Sequence, residues 1–151
     1  MIEWEQREKM IDRKVIAKVE EHLGIKFPQD YVEWAKKYHG GGPKNIEAFI
    51  DSGKFKGMSF YMLCSYNPEA PYHYILEDYE IYVKEAKLPD KLIPFGVDSG
   101  ENLYYFDFRD GIQQPKIVWH DKDFHPDEYP ESLVYICDTF TQFLSMLYDE
   151  E

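Results

Sequence analysis

Apolar side chains recur at helical spacing in several stretches of the chain, and polar residues fill the gaps between them. Ile11, Val15, Ile16, Val19 and Leu23 share one side of a helix that starts near Asp12, a residue suited to capping. Arg13, Lys14, Lys18, Glu20 and Glu21 take the opposite side, and Gly24 can supply a left-handed stop. A short link, Ile25-Lys26-Phe27, leads to Pro28 at the first turn of a second helix. There Tyr31, Trp34, Ala35 and Tyr38 fall at i, i+3, i+4 and i+7, a single apolar stripe that ends at Gly40. The pair predicts a helical hairpin lying on a sheet. A third helix carries Ile75, Tyr79, Tyr82, Val83 and Ala86, with Pro68 and Pro71 before it and Pro89 closing it. In the last helix, capped by Asp138 or Thr139, the pattern repeats in Phe140, Phe143, Leu144 and Leu147.

Between the helices the pattern is that of strands. Ile46–Ile50 and Met58–Tyr66 are rich in β-branched, aromatic and other apolar residues and are bounded by Gly and Pro. From Leu88 to Asp121 an apolar strand (Leu92–Val97), a polar turn, an aromatic strand (Leu103–Phe108), a turn at Asp110-Gly111 and a third strand (Lys116–His120) follow without a break. That order predicts an antiparallel meander. Residues 1–10 are polar and read as a flexible lead-in or a short turn, and Asp121–Glu131 reads as an acidic loop containing prolines. The fold class is therefore α+β: one domain over residues 1–151, its sheet meander flanked by an N-terminal helical hairpin, a middle helix and a C-terminal helix.

Composition narrows the function. A chain of 151 residues suits one domain and buries about two thirds of its unfolded surface. Aromatic residues make up 17 %, with 13 Tyr, a side chain that serves half-buried sheet faces and contact surfaces equally. Acidic groups number 29 against 17 basic, a formal charge of −12. The one modest basic group, Lys36, Lys37 and Lys44, makes no phosphate-binding stripe, so direct nucleic-acid binding is not expected. The acid excess keeps copies apart in solution, and it also suits a basic partner. No apolar run of membrane-spanning length and no export signal is found, so a cytoplasmic protein is expected. Cys64 and Cys137 lie in apolar surroundings and read as buried free thiols.

Catalytic signatures are weak. Gly40-Gly41-Gly42-Pro43-Lys44 resembles a phosphate loop only in its glycines: they follow a helix, and Asn45 stands where Ser or Thr is required. His120, Asp121, Asp123, His125 and Asp127 are a dense set of metal-ligand types, but they sit on a loop interrupted by Pro126 and Pro130. Asp98 with Glu101, and Asp107 with Asp110, lie in turns, where Asp more often bonds its own backbone than performs acid–base work. Ser99 lacks the spacing of a nucleophile elbow. Neither a catalytic residue, a metal nor a cofactor is assigned.

Three stretches in order resemble the SUKH superfamily, which includes cell-wall-assembly-regulator-like proteins of fungi and many bacterial immunity proteins. The first runs from Glu20-Glu21-His22-Leu23-Gly24 through Phe27-Pro28 and Asp30-Tyr31 to Tyr38-His39-Gly40-Gly41, with Phe27 in a usually aliphatic place and His39 in the place of Asn. The second is Leu92-Ile93-Pro94-Phe95-Gly96 followed by Asp98, Gly100, Asn102 and Asp107, with Glu101 where a further small residue is common. The third is Asp138-Thr139-Phe140-Thr141-Gln142-Phe143-Leu144, with Thr139 where the family commonly has Ser. The resemblance implies an α+β domain without catalytic activity. In bacteria such proteins typically bind and neutralise a toxin encoded next door, often a nuclease domain.

The expectation is thus an immunity-type protein whose partner is a cognate, basic protein toxin. Its contact surface is expected to include Asp98, Glu101, Asn102, Trp119, His120, Asp121, Asp123, Asp127 and Glu128. Two other readings stand beside it: a regulatory scaffold that binds a host protein, and a metal-dependent hydrolase built on the His120–Asp127 cluster.

Overall fold

The computed structural model describes residues 1–111 and 113–150. Its centre is a five-stranded antiparallel sheet. β6 (Leu92–Val97), β7 (Leu103–Asp107) and β8 (Lys116–His120) form the expected meander, with β5 (Met62–Leu63) added to one edge and β9 (Leu133–Cys137) to the other. Every residue of β6 is buried, which requires cover on both faces. On one face lie α2 (Gln29–Tyr38) and α4 (Phe140–Met146): Tyr31 and Phe140 pack on Phe106, and Phe143 packs on Tyr104. On the other, Tyr105 looks toward Asp78 and Tyr82, at and just beyond α3 (Ile75–Tyr79). A bulge at Phe95 lies where Pro94 has no amide to give the ladder, and it turns Phe95 onto Phe106 at 4.4 Å.

Local signals act as the pattern predicts in α1 (Arg13–Leu23). Asp12 accepts from the Lys14 amide at 2.9 Å, and Gly24 closes the helix at φ +71. Buried Glu20 then receives both the Phe27 amide at 2.7 Å and the Arg13 guanidinium at 2.9 Å, which fixes the link into α2. Thr139 caps α4 through the Gln142 amide. Asp30 of α2 accepts from both the amide and the hydroxyl of Thr141, joining the starts of the two helices.

Several elements differ from the expectation. β3 (Ala48–Ser52) begins after Ile46, because Ile46 takes a left-handed φ of +76 in a turn and no strand can start there. The expected strand Met58–Tyr66 is divided: β4 (Phe55–Phe60) pairs with β3, and after Tyr61 the chain joins the main sheet as β5. The third helix widens into a π-helical turn over Glu80–Glu85 and stops at Lys87, φ +60. β9 was not among the expected elements; its run Leu133–Cys137 follows directly on the Pro130–Ser132 turn of the acidic loop.

The lead-in is also more ordered than its polarity suggests. β1 (Trp4–Glu5) pairs with β2 (Gly42–Pro43), and Trp4 packs on Trp34, Tyr38 and Phe60 at 5.4, 5.7 and 5.5 Å. Side chains at Gly41 and Gly42 would strike the Glu5 and Tyr61 carbonyls, so the glycine run lets three segments of backbone meet. Among the described residues, no helix is long and apolar enough to cross a membrane.

Candidate functional site

The turn joining β6 to β7 organises the surface. Val97 and Leu103 are paired, so residues 98–102 must reverse the chain. Asp98 does this by accepting the amides of Gly100 and Asn102 on Oδ1, each at 2.8 Å. Its other oxygen accepts Trp119 Nε1 at 2.9 Å, tying the turn to β8. Glu101 sits at φ +68, a left-handed conformation that a residue with a Cβ adopts only at a cost.

On one side of the turn lies a cleft of about 670 Å³. It is bordered by the lead-in (Arg7, Glu8), the segment before β3 (Ile46, Glu47), Tyr61, the Pro71–His73 loop and the turn itself. His73, at φ +58, bridges two carboxylates: Nδ1 meets Asp78 at 3.0 Å and Nε2 meets Glu101 at 3.0 Å. Burial pushes the His73 imidazole down, but Asp78 and Glu101 outweigh it and hold the pKa above its ordinary value. Glu8 accepts the Ser65 hydroxyl at 2.7 Å, and the Ser99 hydroxyl donates to Glu47. Three non-glycine residues in the left-handed region, Ile46, His73 and Glu101, line this one cleft. Such backbone costs of order 1–3 kcal/mol per residue and tends to gather at ligand clamps.

On the other side is the acidic loop. Lys122 anchors it to the turn, its amide donating to Asn102 Oδ1 at 3.0 Å and its ammonium to the Gly100 carbonyl at 2.7 Å. His120 is buried and meets the Phe124 carbonyl at 2.8 Å through Nε2. Burial lowers its pKa, against the opposing pull of that carbonyl and of Asp121. Asp123, Asp127 and Glu128 are exposed, and Phe124 and Tyr129 stand exposed beside them in an edge-to-face pair at 5.1 Å.

The expected contact residues therefore divide. Asp98, Asn102 and Trp119 come together around one knot, where Asp98 and Trp119 are spent on internal bonds and hold the surface rather than form it, while Asp121 bonds within the loop, to Ser132 and Asp123. His120 turns inward. Glu101, Asp123, Asp127 and Glu128 face solvent. The structure adds Ile46, Glu47, Tyr61, Tyr72 and His73, which sequence reasoning missed because distant segments assemble them; exposed Tyr72 directly after Pro71 is the one local hint.

Two chemical readings meet the geometry here. For a metal site, His125 bonds the Lys87 carbonyl while His120 faces Phe124, and no group of three or more His, Cys, Asp or Glu could hold a metal among the described residues. For a cysteine nucleophile, Cys64 Sγ lies 3.4 Å from Asp78, itself bonded to His73. The order is wrong for activation: the thiol meets a carboxylate, and burial first, then Asp78, pushes its pKa well up. Cys137 is pushed up to about 12, chiefly by burial, and both cysteines are free.

Sequence comparison agrees with this architecture. The SMI1 / KNR4 family (SUKH-1) matches residues 10–146, and the chain belongs to that family. No curated protein and no solved structure matches it significantly. Family membership is consistent with a role in toxin immunity.

Proposed function

We propose that this chain is a non-catalytic protein-binding domain that works in the cytoplasm and neutralises a cognate, basic toxin by covering it. The observation that carries the reading is the SUKH-1 match over residues 10–146. The formal charge of −12 supports it independently. A nuclease surface that grips phosphate is basic, so an acidic protein steers onto it and shuts out substrate. Covering an active site takes a complementary interface of roughly 1,600 Å² in total. The cleft, the 98–102 turn and the exposed loop with Phe124 and Tyr129 lie side by side and offer polar and aromatic contact together.

Co-purification with the product of an adjacent toxin gene tests the reading. The chain should hold the toxin in a stable complex, and reversing charge at Asp121, Asp123 and Asp127 together should weaken it most at low salt. A complex that is indifferent to those changes would remove the loop from the interface. No complex at all would remove the immunity role.

A further inference from the structure

The cleft carries more negative charge than its own cations neutralise. Four carboxylates, on Glu8, Glu47, Asp98 and Glu101, border it against Arg7 and the His73 imidazole. Its outer wall is apolar and open: Tyr72 is 73 % exposed, Ile46 67 % and Tyr61 38 %. Large side chains left this open make no core, and Ile46 holds a strained backbone conformation while doing so.

Aromatic faces beside carboxylates match one chemical group best. A guanidinium stacks flat on a ring and pairs with carboxylate oxygens in the same plane, which an ammonium cannot do. A looser version of the contact stands at the rim of the cleft. Arg7 lies over the Tyr61 ring at 5.8 Å while its Nε pairs with Glu5 at 2.9 Å. Tyr72 and Glu47 line the same cleft and supply the same two partners, a ring face and a carboxylate. One Glu47 oxygen accepts from Ser99, and the other has no partner among the described residues. The volume of about 670 Å³ leaves space for a whole side chain and its flanking backbone.

We infer that the cleft receives an arginine side chain of the protein partner, its guanidinium laid on Tyr72 and paired with Glu47 and Glu101. This rests on the reading of the chain as a binder of a basic protein, and it names the point where that partner enters. Arginine and tyrosine are, with tryptophan, the residue types enriched among those that dominate interface energetics. His73 places Glu101 for the contact through its Nε2 bond.

The test uses the isotope-labelled full chain titrated with acetyl-Gly-Arg-Gly-amide and followed by amide NMR shifts. Saturable shifts should concentrate at Ile46, Glu47, Tyr72 and Glu101. They should vanish with the citrulline peptide, which keeps the shape and lacks the charge. Glu47→Gln and Tyr72→Ala should each weaken binding about tenfold; both residues are at least partly exposed, so the fold should persist in each variant. Equal shifts with citrulline, shifts spread over Asp123–Glu128, or no shifts would each overturn the assignment. A toxin complex with an unresponsive cleft would sink this inference alone. A responsive cleft with no toxin complex would sink the immunity reading instead.

Discussion

The cleft and the acidic loop carry the same sign of charge and hold it in opposite ways. In the cleft, Glu8, Glu47 and Glu101 are each tethered to a neighbouring hydroxyl or imidazole, over left-handed backbone and against apolar walls. In the loop, Asp123, Asp127 and Glu128 point into water, and the Asp127 side chain is 88 % exposed. Tethered charge presents a fixed geometry and so discriminates between partners and lengthens their stay. Free charge supplies a field that hastens encounter and is screened within about 8 Å at physiological salt. Under the proposed binding role, one acidic protein divides recognition between two regions, and Asp98 joins them.

Removing that joint should have the largest effect. Asp98→Ala strips the acceptor from two amides and the Trp119 indole, so stability should fall by about 3 kcal/mol in urea denaturation. A loss under about 0.5 kcal/mol would show that the two regions stand independently.

Kinetics should separate the regions next. Against a bound toxin, Tyr72→Ala should speed dissociation about tenfold with little change in association. Asp123→Lys with Asp127→Lys should instead slow association several-fold at low salt and leave dissociation nearly unchanged. Exchanged signatures would break the comparison.

Histidine titration offers a further contrast. His73 has a raised folded pKa, so its contribution to stability is complete below 6.5 and is lost as pH rises through the folded value. His120 has a lowered folded pKa, so its contribution is complete above 6.5 and is lost as pH falls through the folded value. Removing His73 as His73→Gln should leave stability rising with pH across this window. His120→Asn should leave it falling, and thermal denaturation from pH 5 to 9 reads both slopes.

The smallest effect belongs to Asp127→Asn, which should change stability by less than about 0.5 kcal/mol, since its side chain stands in water.

Where neighbours in sequence decide the outcome, the chain was legible. The meander strands match the expectation almost to the residue, as do the Asp12 cap and the Asp98 turn, and Thr139 is one of the two expected caps of α4, because periodicity, capping and turn chemistry are local. Short strands that form only by long-range pairing were not. β1 meets β2 across some forty residues, and β9 is a brief apolar run whose place is set by β8. Ile46 misled for a different reason: a β-branched residue argues for a strand, and tertiary structure holds it left-handed. The candidate site was half visible. Its turn and its loop are each one continuous stretch of sequence, whereas the cleft gathers Arg7, Ile46, Tyr61 and Tyr72 from separate segments that no pattern connects. Charge alone could not show that Asp98 and His120 face inward.

Inhibition stoichiometry is the most direct test of the account. A toxin found encoded beside this chain would be purified and titrated with it while toxin activity is followed. Activity should fall linearly to zero at one equivalent and return when the complex is dissociated. Full toxin activity in the presence of excess chain, or lasting inactivation by a small fraction of an equivalent, would contradict a protein that acts by covering its partner.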